Sequence, residues 1–507
     1  MQLLPCIPLY EQPDNPFPRK GFLTHMYILA TPPPTPSPQC TPMATVTAPG
    51  NTSSGCMFSS FNDEGVPYLQ IFIGFTVAVY LFHTYLDVRQ LRALRRPQPP
   101  PALAALFTKE LYDKTQSYSI EKWWFASAHS LYSVMETLVL ILTGWLPYVW
   151  TASGAVLAAA STHLSPGWAA WGRGEIAQTV VFVLALCLGN MVLELPWGIY
   201  STFVIEQRHG FNKQTPGLYV SDLIKQMLLA VVLLPPIVAG VTYILQVAGP
   251  LVPLYLWAFV FALSLFLMTI YPVVIAPLFN KYEPLPEGSL RSKIEALAGS
   301  LRFPLRKLYR MDGSRRSAHS NAYMYGFFNN KRIVLYDTLI QQCSEEQVVA
   351  VLAHELGHWK LRHTPLLFVV NQVVLLSQFS LFTLVRNSTA LPAAFGFATG
   401  GTLTAAGTAP AFVALILFQF IVSPLDEVIQ YGSNVVSRMF EFQADGFAVR
   451  TGHGPHLRSA LLRMEEENKG AMHVDPWYSS YHYSHPPLVD RLRAIDAAQK
   501  EQEKKAK

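Results

Sequence analysis

Long apolar runs alternate along the chain with shorter polar stretches. Seven of them approach the length of about 20 residues that a helix needs to cross a bilayer. They cover 68–86, 129–150, 176–195, 226–247, 252–275, 366–385 and 410–430. Trp145, Tyr148 and Trp150 cluster at the end of the second run, as interfacial aromatics do. Between the fifth and sixth runs the pattern changes. Residues 290–301 have the spacing of an amphipathic helix, and 320–328 and 331–337 read as two strands joined at Asn329-Asn330. Such a hairpin either leaves an edge strand free to pair with an extended peptide or simply packs; the pattern alone favours neither. Residues 1–62 are rich in Pro, Thr and Ser, as in Thr31-Pro-Pro-Pro-Thr-Pro-Ser-Pro38, and read as a disordered tail unable to bury a core. They lack the basic start and unbroken apolar core of a signal peptide.

Composition agrees with a chain embedded in a lipid bilayer. Hydrophobic residues make up 51% and charged residues only 14%, against about 25% charged in ordinary soluble proteins. The net charge of +5 is spread out, with no basic-aromatic pattern, which argues against nucleic acid as a partner. Cys6, Cys40, Cys56, Cys187 and Cys343 form neither a C-x-x-C pair nor a disulfide framework, so a bound metal must be held by nitrogen and oxygen.

Lysine and arginine set the orientation. Arg89, Arg92, Arg95, Arg96, Lys109, Lys114 and Lys122 lie between runs one and two, but only Arg173 in the next loop. Arg208, Lys213 and Lys225 follow, then none at 248–251, and only Arg386 between runs six and seven. This alternation predicts a lumenal N-terminus and a cytosolic C-terminus. The expected division is a tail (1–62), a membrane domain of five spans (63–275), a cytosolic part (276–365), spans six and seven (366–430) and a second cytosolic part (431–507). Two N-x-[ST] triplets, at Asn51 and Asn387, fall on the lumenal side and add weak support. The end, Lys504-Lys-Ala-Lys507, reads equally as a dilysine retrieval signal or as a plain solvated terminus.

The first cytosolic part contains His354-Glu355-Leu-Gly-His358 on a predicted helix. Histidines at i and i+4 share one helical face and can reach one ion. Glu355 points toward the open side of that ion, where a metal-bound water would lie, and can act as its base. Chance would produce this motif on the order of 0.02 times in such a chain. A third ligand is required, and 83 residues beyond His358, after the last two apolar runs, stand Glu441 and Asp445. They too are spaced i and i+4, so one carboxylate can bind metal while the other holds a ligating histidine. Taken alone, that pair is an ordinary solvated helix face. Its weight comes from re-entering the side of the membrane where His354 must be. Farther on, Ser484-His485-Pro486-Pro487 and Arg491 read either as a turn and helix start or as groups that stabilise an oxyanion or bind a peptide carboxylate.

Together, His354-Glu-Leu-Gly-His-Trp359, Glu441-Phe-Gln-Ala-Asp445 and Ser484-His-Pro-Pro487 resemble the integral-membrane CAAX prenyl endopeptidases. Leu195-Pro-Trp197, Phe203-Val-Ile-Glu206, His209-Gly-Phe-Asn212, Ile275-Ala-Pro-Leu-Phe279 and the stretch 317–328 carry the likeness further, so that it covers roughly residues 65–497. Relatives often carry a long charged insertion before the metal helix; here Asp337 runs almost directly into Glu345. The resemblance implies an all-α polytopic membrane protein. Its seven helices surround a large chamber, capped by a cytosolic zinc metalloprotease domain with a small β-hairpin or sheet. It implies one Zn2+ held by His354, His358 and Glu441, with Glu355 as catalytic base and Asp445 as the carboxylate behind a ligand. Asn321, with Ala322 and Tyr323 on the edge strand, would meet the substrate backbone, and His485 and Arg491 would lie near the oxyanion. The implied substrates are farnesylated CaaX proteins, which lose their last three residues, some members cutting again upstream. The implied location is the endoplasmic reticulum or inner nuclear membrane. Two other readings stay open: a membrane zinc protease that clears misfolded or translocation-stalled proteins, and a non-catalytic scaffold with a structural zinc.

Overall fold

The computed structural model describes residue 63 and residues 65–506, apart from 164–166, 168–171, 173, 327–328, 399 and 405–407. The expected tail and the triplet at Asn51 lie outside the described residues. Within them, seven helices are long and apolar enough to cross a membrane: Tyr68–Leu94, Lys109–Leu142, Glu175–Glu206, Pro216–Val247, Gly249–Phe279, His363–Val385 and Ala411–Arg450.

The number of spans is as expected, but the second is displaced. The apolar run at 129–150 is cut by Gly144, whose φ of 68° is left-handed and ends one helix before the next begins. The spanning helix is Lys109–Leu142, started by the Thr108 side chain, which accepts from the Leu111 amide. A separate helix, Trp145–Ser161, follows. A hydropathy window averages straight across such a break. The expected interfacial cluster is corrected with it: Trp145 and Tyr148 are exposed, but Trp150 is 1% exposed and packs edge-on against Phe182 with ring centroids 5.6 Å apart.

The seventh helix runs unbroken for 40 residues, about 60 Å, twice the thickness of a hydrocarbon core. It carries both the last apolar run and the Glu441–Asp445 face on one continuous helix, with Pro424 inside it.

Between spans five and six lies a four-stranded sheet in the order β1-β2-β4-β3, with β1 at Tyr282–Pro284, β2 at Leu305–Met311, β3 at Ala322–Tyr325 and β4 at Lys331–Tyr336. The expected hairpin is β3–β4, antiparallel with Ala322 opposite Leu335, and β3 is a free edge of the sheet. β2, which pairs parallel with β4, was not foreseen. Its apolar residues Leu305, Leu308 and Met311 fall three apart, a helical spacing. The helices Ser289–Ser300 and Glu345–Lys360 close over this sheet. Ile294, Leu297, Ile333, Leu335, Val348, Leu352 and Leu356 form one core with Ala448 and Val449 of the seventh helix and Leu457 and Ile495 beyond it. A second core, including Phe72, Trp150, Phe182, Val241, Val260, Phe382 and Phe418, joins the spans.

Charged joints lock the sheet-bearing part to the spans. Arg316, in the loop before β3, donates to both oxygens of Asp222 near the start of the fourth span, at 2.8 and 3.0 Å, and to Asn280 at 2.8 Å. Arg89, near the end of the first span, makes a second forked pair with Asp475 at 3.0 and 3.1 Å. Arg316 and Asp222 are both buried, so removing the guanidinium leaves the Asp222 carboxylate to Gln214 and to Lys225, whose Nζ lies 3.5 Å from its Oδ1. Arg316→Met is expected to cost stability near the low end of about 3–5 kcal/mol, because Gln214 still donates to Asp222 at 3.0 Å and Lys225 still pairs with it at 3.5 Å. Thermal unfolding in detergent should show the loss, and Asp222→Leu in the same chain should recover part of it. Equal melting of Arg316→Met and wild type would mean that the joint carries no load.

Candidate metal centre

The helix that carries the histidines is built to start and stop sharply. Ser344 and Gln347 form a reciprocal capping box, and Glu345 and Glu346 sit in the first turn, where the helix dipole favours acids. It ends at Lys360; Arg362 then adopts a left-handed φ of 60°, and the sixth span begins at His363. His354 and His358 face the seventh helix across a very close contact. A Cβ added to Gly357 would lie 3.1 Å from Phe447 Cδ1 and 3.3 Å from Ala444 Cα. That absence of a side chain lets the two helices that carry these donors approach.

Three donor atoms converge there. His354 Nε2 and His358 Nε2 are 3.1 Å apart. Glu441 reaches them with Oε2 3.5 Å from the first and Oε1 3.2 Å from the second. Donors bonded to one tetrahedral zinc at about 2.0–2.2 Å would be separated by about 3.3–3.6 Å, so the spacing fits. The chemistry of the set fits as well. His354 donates its Nδ1–H to Asp445 Oδ1 at 2.8 Å, which leaves a lone pair on Nε2. A proton between these atoms satisfies one contact, whereas a cation satisfies all three. Glu441 Oε2 is buried and accepts no aligned hydrogen bond, so it keeps lone pairs for an ion. Burial by itself depresses His354, yet the Glu441 charge and the Asp445 hydrogen bond outweigh it and lift its pKa to about 10. The pocket favours positive charge.

Two flanking groups complete the arrangement. Arg491, on the helix Leu488–Ala506, donates to both oxygens of Asp445 at 2.9 and 2.7 Å, and its Nη1 lies 3.5 Å from Glu441. Burial would lower its pKa, but Asp445 more than compensates, and the guanidinium stays charged. His485 Nδ1 stands 3.0 Å from Glu441 Oε2 while the ring remains 63% exposed, at the mouth of the cluster. The loop that carries it is pinned to the seventh helix, where Arg438 donates to the carbonyls of Ser479 and Tyr483 and Asn434 donates to that of Tyr481 at 2.7 Å. Glu355 is half-buried beside His354, and its carboxylate is near enough to Arg491 to interact with it electrostatically.

The sequence-predicted residues of β3 are brought against the metal-motif helix. Tyr336 donates its amide to Asn321 O at 3.1 Å, which with the β3–β4 register turns the main-chain groups of Ala322 and Met324 outward along the free edge. The Asn321 side chain accepts the Ala322 amide at 2.8 Å. Tyr323 sends its hydroxyl to Tyr282 at 3.0 Å, so it offers a peptide backbone rather than a phenol. Sequence reasoning missed His363, Gln443, Arg438 and the requirement for Gly357. His363 is five residues past His358, off the helical face, and only the turn at Arg362 returns it to the site.

Comparison with known proteins gives a consistent result. Residues 90–281 match a family described as CAAX prenyl protease N-terminal, five membrane helices, and residues 284–499 match peptidase family M48. A CAAX prenyl protease 1 homolog of Arabidopsis thaliana is 51% identical, covering 86% of this chain and 99% of its own. The Homo sapiens CAAX prenyl protease 1 homolog is 39% identical over 83% of this chain and 94% of its own. The crystal structure of S. mikatae Ste24p superposes with a TM-score of 0.79 at 35% identity, covering 85% of this chain and 99% of that one.

Gly357→Val tests the close approach. The added side chain is expected to push the helices apart, cost about 1–3 kcal/mol and weaken metal binding at least tenfold. Thermal unfolding and competition with a chromophoric chelator would measure both. Unchanged metal affinity would show that the site tolerates a wider helix separation.

Proposed function

The chain belongs to the CAAX prenyl proteases of peptidase family M48, and from that premise we propose that it removes the C-terminal tripeptide of farnesylated CaaX proteins, with a second upstream cut in some substrates. The observation that carries this reading is the convergence of His354, His358 and Glu441 beside the half-buried Glu355. Three protein donors leave one position open, as hydrolytic sites do and structural zinc sites do not.

In this reading His354, His358 and Glu441 would hold one Zn2+, whose chemistry there would be that of a Lewis acid toward water and the scissile carbonyl. Glu355 takes the proton of the attacking water and returns it to the leaving amine. Asp445 fixes His354 with its proton on Nδ1, and Arg491 in turn fixes Asp445. His485, exposed at the mouth, donates to the oxygen on which negative charge develops, and Arg491 lends that charge a fixed positive field. The substrate lies extended along β3, paired with the outward main-chain groups of Ala322 and Met324 beside Asn321 and Tyr323.

The spans supply the setting. We place the protein in the endoplasmic reticulum membrane, also reaching the inner nuclear membrane, with residues 276–365 and 431–507 on the cytosolic side. The apolar windows of the first two spans are only 17% and 6% buried, which suits helices that touch neighbours along narrow seams around a chamber. Inside the spans His129 meets Glu194 at 2.9 Å, His83 meets Glu427 at 3.4 Å and Gln378 donates to Asp426 at 2.6 Å. Such polar groups at membrane depth face a bundle interior or a hydrated cavity.

The test is release of the tripeptide from a farnesylated CaaX peptide by purified protein. Wild type should cleave, and a chelator should abolish cleavage until zinc is restored. Glu355→Gln should bind metal normally while losing about 10²–10⁴-fold in kcat. Activity that survives Glu355→Gln would remove that residue from its role. Cleavage of unprenylated unfolded peptides alone would move the function to protein quality control.

A further inference from the structure

The two metal-facing histidines are both oriented from behind, but by unlike devices. Behind His354 stands the charged pair of Asp445 and Arg491. Among the described residues, no carboxylate is within hydrogen-bond distance of the far side of His358. Its Nδ1 instead lies 3.0 Å from Nδ1 of His363, and His363 Nε2 lies 3.0 Å from Gln443 Oε1.

We infer that His363 and Gln443 form a neutral hydrogen-bond relay that positions His358 for metal binding. The proton count allows one arrangement. His358 turns Nε2 toward His354 and Glu441, so a metal-ready His358 carries its proton on Nδ1 and donates it. His363 must accept on Nδ1, which puts its own proton on Nε2, where Gln443 Oε1 accepts it. Nothing in this chain is charged, and every ring nitrogen has one role. The His363 ring cannot rotate out of it: the residue is 3% exposed and stacks flat on Phe440, with centroids 4.0 Å apart and planes at 2°.

The placement adds a second consequence. His363 is the first residue of the sixth span, whereas Phe440 and Gln443 flank the ligand Glu441 on the seventh. The relay therefore ties the start of one span to the other span's metal-binding turn, through the ligand histidine of a third helix. Its acceptor is an imidazole rather than a carboxylate, so His358 is held without the added negative charge that His354 receives.

This inference rests on His358 being a metal ligand, and the experiment separates the two claims. Purified full-length wild type and variants would be titrated with zinc against a chromophoric chelator, with thermal unfolding of the zinc-saturated forms alongside. His358→Ala should lose metal binding; if it does not, the ligand assignment fails first. His363→Phe keeps the ring, the stacking on Phe440 and the span start but removes both nitrogens. It should weaken zinc affinity 10–100-fold. His363→Asn returns an acceptor near the Nδ1 position and should recover most of that loss, which a packing role would not do. Gln443 is exposed, so Gln443→Leu leaves the core intact; it should cost 3–10-fold by freeing the His363 tautomer. Wild-type affinity in both His363→Phe and Gln443→Leu would overturn the relay. So would a His363→Phe loss that His363→Asn fails to recover. Should His363→Phe not fold, Gln443→Leu alone decides.

Discussion

The structure depends on one helix contact, where Gly357 meets Ala444 and Phe447. The two elements involved are separated in sequence by a membrane hairpin, and nothing local requires them to meet. What brings them together is burial of the shared core, where Leu352 and Leu356 on one helix join Ala448 and Val449 on the other. What lets them come close enough is a glycine opposite an alanine. Ligand groups have a fixed reach, and donor atoms on facing helices converge only if the backbones stand at the right distance. A few tenths of an ångström of separation here is transmitted directly to the spacing of His354, His358 and Glu441, because both helices are rigid and close-packed.

That proximity creates an electrostatic problem, and the surrounding residues read as its solution. Two carboxylates, Glu441 and Asp445, are buried next to two imidazoles. Burying charge is costly unless it is paired. Arg491 pairs Asp445 with two hydrogen bonds, whereas Glu441 keeps one oxygen without an aligned donor. Asp445 is thus fully paired, while Glu441 keeps lone-pair capacity on Oε2, with His485 and Arg491 close by. A divalent cation bound there would take up that capacity, so metal affinity and local folding stability would be linked quantities.

The residues most legible in the sequence were those whose chemistry is encoded by spacing. His354, Glu355 and His358 are legible because an i, i+4 pair needs nothing beyond one helix. Glu441 and Asp445 became legible through topology, since two apolar runs had to return the chain to the same side. The β3–β4 hairpin was visible because both strands and the turn are contiguous. β2 was hidden by a three-residue spacing of Leu305, Leu308 and Met311, which only the sheet around it overrides. The second span was misplaced because Gly144 breaks the helix inside a continuous apolar run. His363 and Gln443 were invisible for another reason: their significance lies in ring nitrogens meeting across three helices, and no spacing rule spans that distance.

The unbroken seventh helix makes sense of the proposed substrate. In a CaaX protein the bond to be cut adjoins the lipidated cysteine, so the peptide reaches a protease while its isoprenoid still prefers the bilayer. At about 0.8 kcal/mol per buried CH2, withdrawing a farnesyl chain into water costs on the order of 10 kcal/mol. A soluble protease would have to overcome that in every turnover. Here Glu441 stands eleven residues beyond the last apolar run ending at 430, about 16 Å farther along the same helix. The cutting site is therefore carried on the element that crosses the membrane, and it needs no flexible linker to reach a lipid-tethered end. A linker would lose that advantage through the entropy of positioning. The rigid helix fixes the distance between bilayer and metal, and so selects for substrates whose scissile bond is held near a membrane.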